Sequence, residues 1–281
     1  MIETETFQIE TLFEKASSLP NVPKVVQELL ESFSRDRVTI DEIAAKIAAD
    51  QVLSAKLLRL ANSAHYHVSR EIGTASDAVA MLGFVTVRTL VISCGLTGSF
   101  KPIPGLDLPK FWLHSLKVAC VAKHLANTAK LNRELAFTVG MMHGIGQLLM
   151  HMVLREEIQE LNKTSTPFEA RRCRLERNAL GFDYAEAGAG LASHWQFPPT
   201  LSDAIRRFPE PLASDPVDPI SCVIHLAVWR VRGDEHNLSP EALSDSWPDA
   251  VGDALNLDRD EVLRTMPTLK ELTAGMEALL G

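Results

Sequence analysis

Val22, Val25, Val26, Leu29, Leu30 and Phe33 recur at i, i+3, i+4, i+7, i+8 and i+11, which lays one apolar stripe along an amphipathic helix. Ile40, Ile43, Ala44 and Ile47 continue the helical period, and Thr39 followed by Glu42 reads as a capping box at its start. Thr166-Pro-Phe-Glu169 predicts a helix opened by proline and closed by Gly181. Asp183 with Glu186, and later Ser239-Pro-Glu241, predict two further helix starts. Sustained alternation and hairpin dipeptides are missing, so the predicted fold class is all-α.

Leu135 to Leu154 carries no formal charge and is long enough to cross a bilayer. His143, Gln147 and His151 put three polar side chains on one stripe of it, and Gly140, Gly144 and Gly146 suit close helix packing. A buried core helix is expected, with no membrane insertion. Lys101-Pro-Ile-Pro-Gly-Leu-Asp-Leu-Pro109 is the strongest breaker, and the prolines at 209, 211, 216 and 219 mark a second boundary or long loop. The expected segments are residues 1–100, 108–233 and a helical C-terminal extension over 234–281. The extension carries a face of Leu269, Leu272, Met276 and Leu279, expected to pack back on the body, with dimerisation as the alternative.

Composition narrows the partners. The 281 residues hold 28 Lys+Arg against 36 Asp+Glu, a net charge of −8. A field of that sign argues against general nucleic-acid binding, which needs cations for the phosphates. Cys94, Cys120, Cys173 and Cys222 are scattered without a CxxC pair, and the opening Met-Ile-Glu-Thr-Glu is acidic where a signal peptide is basic. Both point to a cytoplasmic protein with reduced thiols.

Two groups of motifs carry a resemblance. The first is Leu19-Pro-Asn-Val-Pro23, Ile47-Ala-Ala-Asp50, Leu57-Leu-Arg-Leu-Ala-Asn-Ser63 and Ala78-Val-Ala-Met-Leu-Gly83. The second is Phe111-Trp-Leu-His-Ser115 with Gly140-Met-Met-His-Gly-Ile-Gly146 downstream. In this order, over roughly residues 15 to 230, the chain resembles the HDOD family, the HD-related output domains of bacterial signal transduction. The resemblance implies an N-terminal helical bundle packed on a helical core related to HD phosphohydrolases. It also implies a regulatory role beside second-messenger or two-component signalling.

An HD hydrolase holds divalent metal with a His, a His-Asp pair and a later Asp, and the metal turns bound water into a nucleophile. By the resemblance, His114 and His143 match the two imidazoles. Gly144 stands where the paired Asp belongs, Val228 where the later Asp belongs, and Tyr184 where many relatives have another His. Ala204-Ile-Arg206 is followed by Arg207-Phe208 instead of paired histidines, and Gln147 replaces a common Lys. Two imidazoles without a carboxylate make a poor site for a hard cation, so no metal, no cofactor and no catalytic residue is expected.

Other chemistry is sparse. Arg171, Arg174 and Arg177 form a ridge that suits an oxyanion, and Arg206 with Arg207 forms a smaller cluster near the lost histidines. Both are candidate anion sites, weighed against plain solvated helix surface. Cys120/His124 and Cys222/His225 have spacings that chance explains, and His65/His67 reads as a pair in a surface loop in preference to a metal site. The expected function is a non-catalytic regulatory module acting through protein–protein contacts, on the N-terminal bundle and the groove between the units, with unidentified signalling partners. Two alternatives stay open: a metal-dependent phosphohydrolase or phosphodiesterase on a nucleotide, with ligands from other positions, and a sensor of a phosphate-bearing ligand in the vacated pocket.

Overall fold

The computed structural model describes residues 9–15, 24, 28, 39–63, 71–274 and 276. Among them the secondary structure is helical throughout, with no strand, as the periodicity predicts. The apolar positions of the helix expected over Val22–Phe33, the His65/His67 pair and Leu279 lie outside the described residues. The chain divides into two compact units, one of residues 1–19 with 102–267 and one of residues 20–101 with 268–281. The segment expected over 234–281 is thereby shared between both.

The smaller unit contains α2 (Ile40–Ala48), α3 (Gln51–Ala61) and α4 (Ala75–Ser99), which pack on one another. Thr39 caps α2 by accepting from the Glu42 amide at 3.3 Å, which is half of the expected box. Ile43, Ala44 and Ile47 are buried while Ile40, at the first turn, is 45% exposed. The quoted motifs here serve the backbone. Asp50 accepts from the amides of Val52 and Leu53 at the head of α3. Asn62 exchanges bonds with the Ile72 backbone at 2.8 and 2.9 Å. Gly83 adopts φ 76°, open to glycine at little cost, and kinks α4.

The larger unit begins with α1 (Ile9–Lys15) and resumes with α5 (Leu108–Thr128), α6 (Arg133–Met142), α7 (Ile145–Val153) and α8 (Arg155–Asn162). It continues through α9 (Arg172–Leu180), α10 (Tyr184–His194), α11 (Pro199–Arg207) and α12 (Pro219–Glu235). α13 (Pro240–Asp245), α14 (Asp249–Ala254) and α15 (Arg259–Thr265) follow, and α16 (Leu269–Thr273) belongs to the smaller unit. The uncharged run does not form one helix: it divides at His143-Gly144 into α6 and α7, both buried. Among the described residues no single helix is long and apolar enough to cross a membrane.

Close packing fixes where the chain can turn. A Cβ at Gly140 would lie 2.6 Å from the Ala119 Cα, so α6 seats directly on α5. At Gly146 it would lie 1.9 Å from the Tyr184 carbonyl oxygen, so α7 needs glycine to meet α10. The segment opened by Thr166 is a turn, in which the Thr166 amide donates to the Glu169 carboxylate at 3.0 Å, and helix α9 starts only at Arg172. Gly181 ends α9 at φ 85°, and Asp183 with Glu186 forms a complete capping box on α10.

Candidate functional site

His114 projects from α5 and His143 follows the last turn of α6, and both are 2% exposed. Their ring centroids lie 5.6 Å apart. Each ring is held through Nδ1. His143 donates to the Gly140 carbonyl at 2.7 Å. His114 donates to the Glu235 carboxylate, at 3.0 and 3.1 Å to its two oxygens. Phe168 stacks on His114 at 4.4 Å, and Phe208 meets the His143 ring edge-on at 5.5 Å.

Burial sets the protonation. It lowers His143 to about 3, helped by the His114 charge and opposed by the Gly140 carbonyl. It lowers His114 too, against the opposing pull of Glu235. Burial raises Glu235, but the His114 bond and the charges of His114, Lys117 and Lys110 outweigh it and leave that carboxyl below its ordinary value. Both imidazoles are therefore neutral near pH 7, with Nδ1 protonated and Nε2 bare, the tautomer a carboxylate-backed metal ligand adopts.

The remaining positions do not fit a divalent metal. Gly144 offers no donor, and a Cβ there would meet the Phe111 ring at 3.2 and 3.4 Å. Val228 is buried on α12 and apolar. Tyr184 is buried, with burial raising its phenol well above the ordinary value. Among the described residues no three His, Cys, Asp or Glu side chains come together to hold a metal. No hydrolytic step can be built through a metal on this donor set.

Space is left instead. A cavity of about 420 Å³ is lined by Tyr184, Phe208, Val228, Trp229, Arg174 and Arg232 among others. Arg232 lies one turn beyond Val228 on α12 and donates to the carbonyls of Phe168 and Glu169, at 2.6 and 3.4 Å. Its charge bears on His114, His143 and His225 alike.

The predicted arginines are dispersed. Arg171 is exposed and bonded to Glu169 and to the Thr164 carbonyl. Arg177 pairs with Asp183 at 2.8 Å and with Glu210 at 2.5 Å. Arg174 alone of that ridge lines the cavity, while Arg206, exposed, and Arg207, half-buried, are not among its lining residues. Arg172, beside the ridge, is fully buried and bonded to Glu176 at 2.6 Å.

Glu235 and Arg232 are the site residues that the sequence reading missed. His225, Val228, Arg232 and Glu235 continue one stripe at i, i+3, i+7 and i+10, a signal that was available. Burial pushes the Cys120 thiol up to about 12 and the Cys222 thiol to about 11, which disfavours thiolate chemistry at the two Cys/His spacings.

This geometry defines a class: an all-helical core in which two buried imidazoles face each other with, among the described residues, no third ligand to share a metal with them. The HDOD domain family model matches residues 19–211, and the chain belongs to the HDOD domain family. A Shewanella amazonensis SB2B structure provisionally named a phosphohydrolase is 29% identical, with 96% of both chains covered and a TM-score of 0.76. An HDOD domain protein of unknown function from Geobacter sulfurreducens is 22% identical, covering 96% of this chain and 94% of that one, with a TM-score of 0.77. A Marinobacter aquaeolei VT8 protein provisionally named for signal transduction is 23% identical over 96% of this chain and 59% of its own, with a TM-score of 0.72. An uncharacterized protein of Treponema pallidum (strain Nichols) is 22% identical over 99% of this chain. The chain spans about half, 53%, of that curated relative's length.

Proposed function

We propose that this protein is a non-catalytic regulatory HDOD module that signals through contacts with other proteins. The observation that carries the reading is the donor set: two neutral buried imidazoles, with Gly144 and a buried, apolar Val228 at the positions where the resemblance places the carboxylates. Activation of water by a bound metal needs several well-placed ligands, and here the anionic ones are gone. Phe111 crowds the Gly144 position, so a neighbouring carboxylate has no ready path into it. Of the charges near the imidazoles, the Glu235 carboxylate is engaged by the His114 Nδ1, and Arg232 is a cation that repels a second cation.

The test is metal content and turnover of the purified chain. The expected outcome is less than stoichiometric divalent metal, unchanged melting on chelation, and no hydrolysis of bis(4-nitrophenyl) phosphate with added Mn²⁺. Stoichiometric metal together with turnover lost in His143→Ala overturns the reading. Affinity capture from the native cell then identifies the partner, for which a signalling protein is expected.

A further inference from the structure

The cavity lined by Phe208, whose ring also meets His143, has the dimensions of a ligand site. Its volume of about 420 Å³ lies within the roughly 300–1,000 Å³ typical of small-molecule pockets. It lies wholly within the larger unit, and two of its walls, Tyr184 and Val228, are substituted HD positions.

Its chemistry has two parts. One is apolar and flat. Trp229 is half-buried, and its indole is fixed by a bond to the Ser246 hydroxyl at 3.2 Å and an edge-to-face contact with Trp247 at 5.2 Å. Phe208 supplies a second aromatic wall. A held indole plane stacks a planar ring at little entropic cost.

The other part is cationic. Arg232 is anchored through Nε and Nη2 to two backbone carbonyls, which leaves Nη1 outside those bonds. Arg174 is exposed and makes no ion pair among the described residues. The lining carboxylate, Glu210, is already held by Arg177. A purely apolar ligand would strip water from two guanidinium groups without replacing it, which is costly. Inorganic phosphate would satisfy them but leave the aromatic walls bare. A ligand joining both features meets both needs, and guanidinium forks match phosphate oxygens.

We propose that this cavity binds a small aryl or heteroaryl phosphate monoester, its phosphate on Arg174 and Arg232 and its ring against Trp229 and Phe208. The proposal rests on the regulatory reading only for the ligand's fate, which is to be held and released uncleaved.

The test is calorimetric titration of the full chain with phenyl phosphate, AMP and UMP. Inorganic phosphate, phenol, adenosine and uridine serve as controls. The expected result is saturable binding of at least one ring phosphate, with phosphate alone and the parent ring each weaker by about tenfold or more. Preference for the nucleotides over phenyl phosphate, or the reverse, distinguishes the two sources of the shared chemistry. Arg174→Ala, on an exposed helix position, is expected to keep the melting temperature and weaken binding by about tenfold. Arg232→Lys, which retains charge but loses the fork, is expected to weaken it as well.

Absence of saturation by all three ring phosphates at millimolar concentration overturns the proposal. So does binding that both variants leave unchanged. Release of free phosphate from a bound monoester overturns the non-catalytic reading and leaves the cavity assignment standing.

Discussion

Around Glu176 the larger unit buries a full set of charges, whereas around His143 it buries polar groups that are neutral. Glu176, fully buried, accepts from Arg172 at 2.6 Å, from Gln147 at 2.7 Å and from the Tyr184 amide at 2.8 Å. Burial pushes its carboxyl up, and these three donors pull it back. Arg172 also donates to Asn162 at 2.9 Å and to the Ser165 carbonyl at 2.7 Å, pinning the turn that precedes α9. Gln147 belongs to the stripe that includes His143 and His151, so the two clusters are adjacent turns of the same chain segment. The difference teaches what each charge was for. Charge that joins α7, α9 and α10 is buried at full desolvation cost, whereas among the described residues no group of carboxylates gathers with the buried imidazoles to hold a metal.

The comparison breaks most readily at Glu176. Glu176→Ala strands a buried guanidinium and is expected to cost about 3–5 kcal/mol in chemical denaturation. A loss under about 1 kcal/mol would mean that Arg172 finds water, and the contrast between clusters would collapse. The glycines sharpen the same contrast. Gly146→Ala drives a methyl into the Tyr184 and Gly188 backbone and is expected to destabilise by about 3 kcal/mol or more. Gly144→Ala meets only the Phe111 ring and is expected to cost about 1 kcal/mol, measured the same way.

Acid separates the clusters next. An imidazole held neutral binds fewer protons folded than unfolded between its lowered value and the ordinary 6.5. Stability is thus full above about pH 6.5 and falls as pH drops toward about 3 for His143 and about 4 for His151. Each contributes a slope of up to about 1.4 kcal/mol per pH unit. Urea midpoints taken between neutral pH and pH 5 should show this, and His143→Asn should reduce the slope and leave the His151 share. An unchanged slope in that variant would place the acid sensitivity elsewhere. The smallest effect is a null one: Gly144→Asp alone is expected to give no stoichiometric Mn²⁺ binding by calorimetry, because Val228 and Phe111 still wall the site.

Much of the scaffold was legible because its signals are local. The caps at Asp183 and Ser239, the stop at Gly181 and the helical period all depend on residues within one turn of each other. The break at His143-Gly144 was not, since an uncharged run gives no sign of where α10 and α5 press against it. Thr166 misled for a related reason: its pairing with Glu169 closes a turn as readily as it starts a helix. The arginine ridge was visible as spacing, but spacing could not show that Arg177 is spent on Asp183 and Glu210. His114 and His143 were identified from the motifs. Their setting was harder to read, because Glu235 lies 121 residues beyond His114 and only the fold joins them.

The Glu235–His114 bond has a further consequence, for protein engineering. A designed metal centre fails most often because its imidazoles are free to rotate, and here both rings are already locked with the coordinating nitrogen bare. Proton competition, which weakens most histidine sites in mild acid, is reduced at His143, whose burial lowers its pKa to about 3. What a designer must supply is oxygen ligands at 144 and 228 and a smaller neighbour at Phe111 to make room for the first.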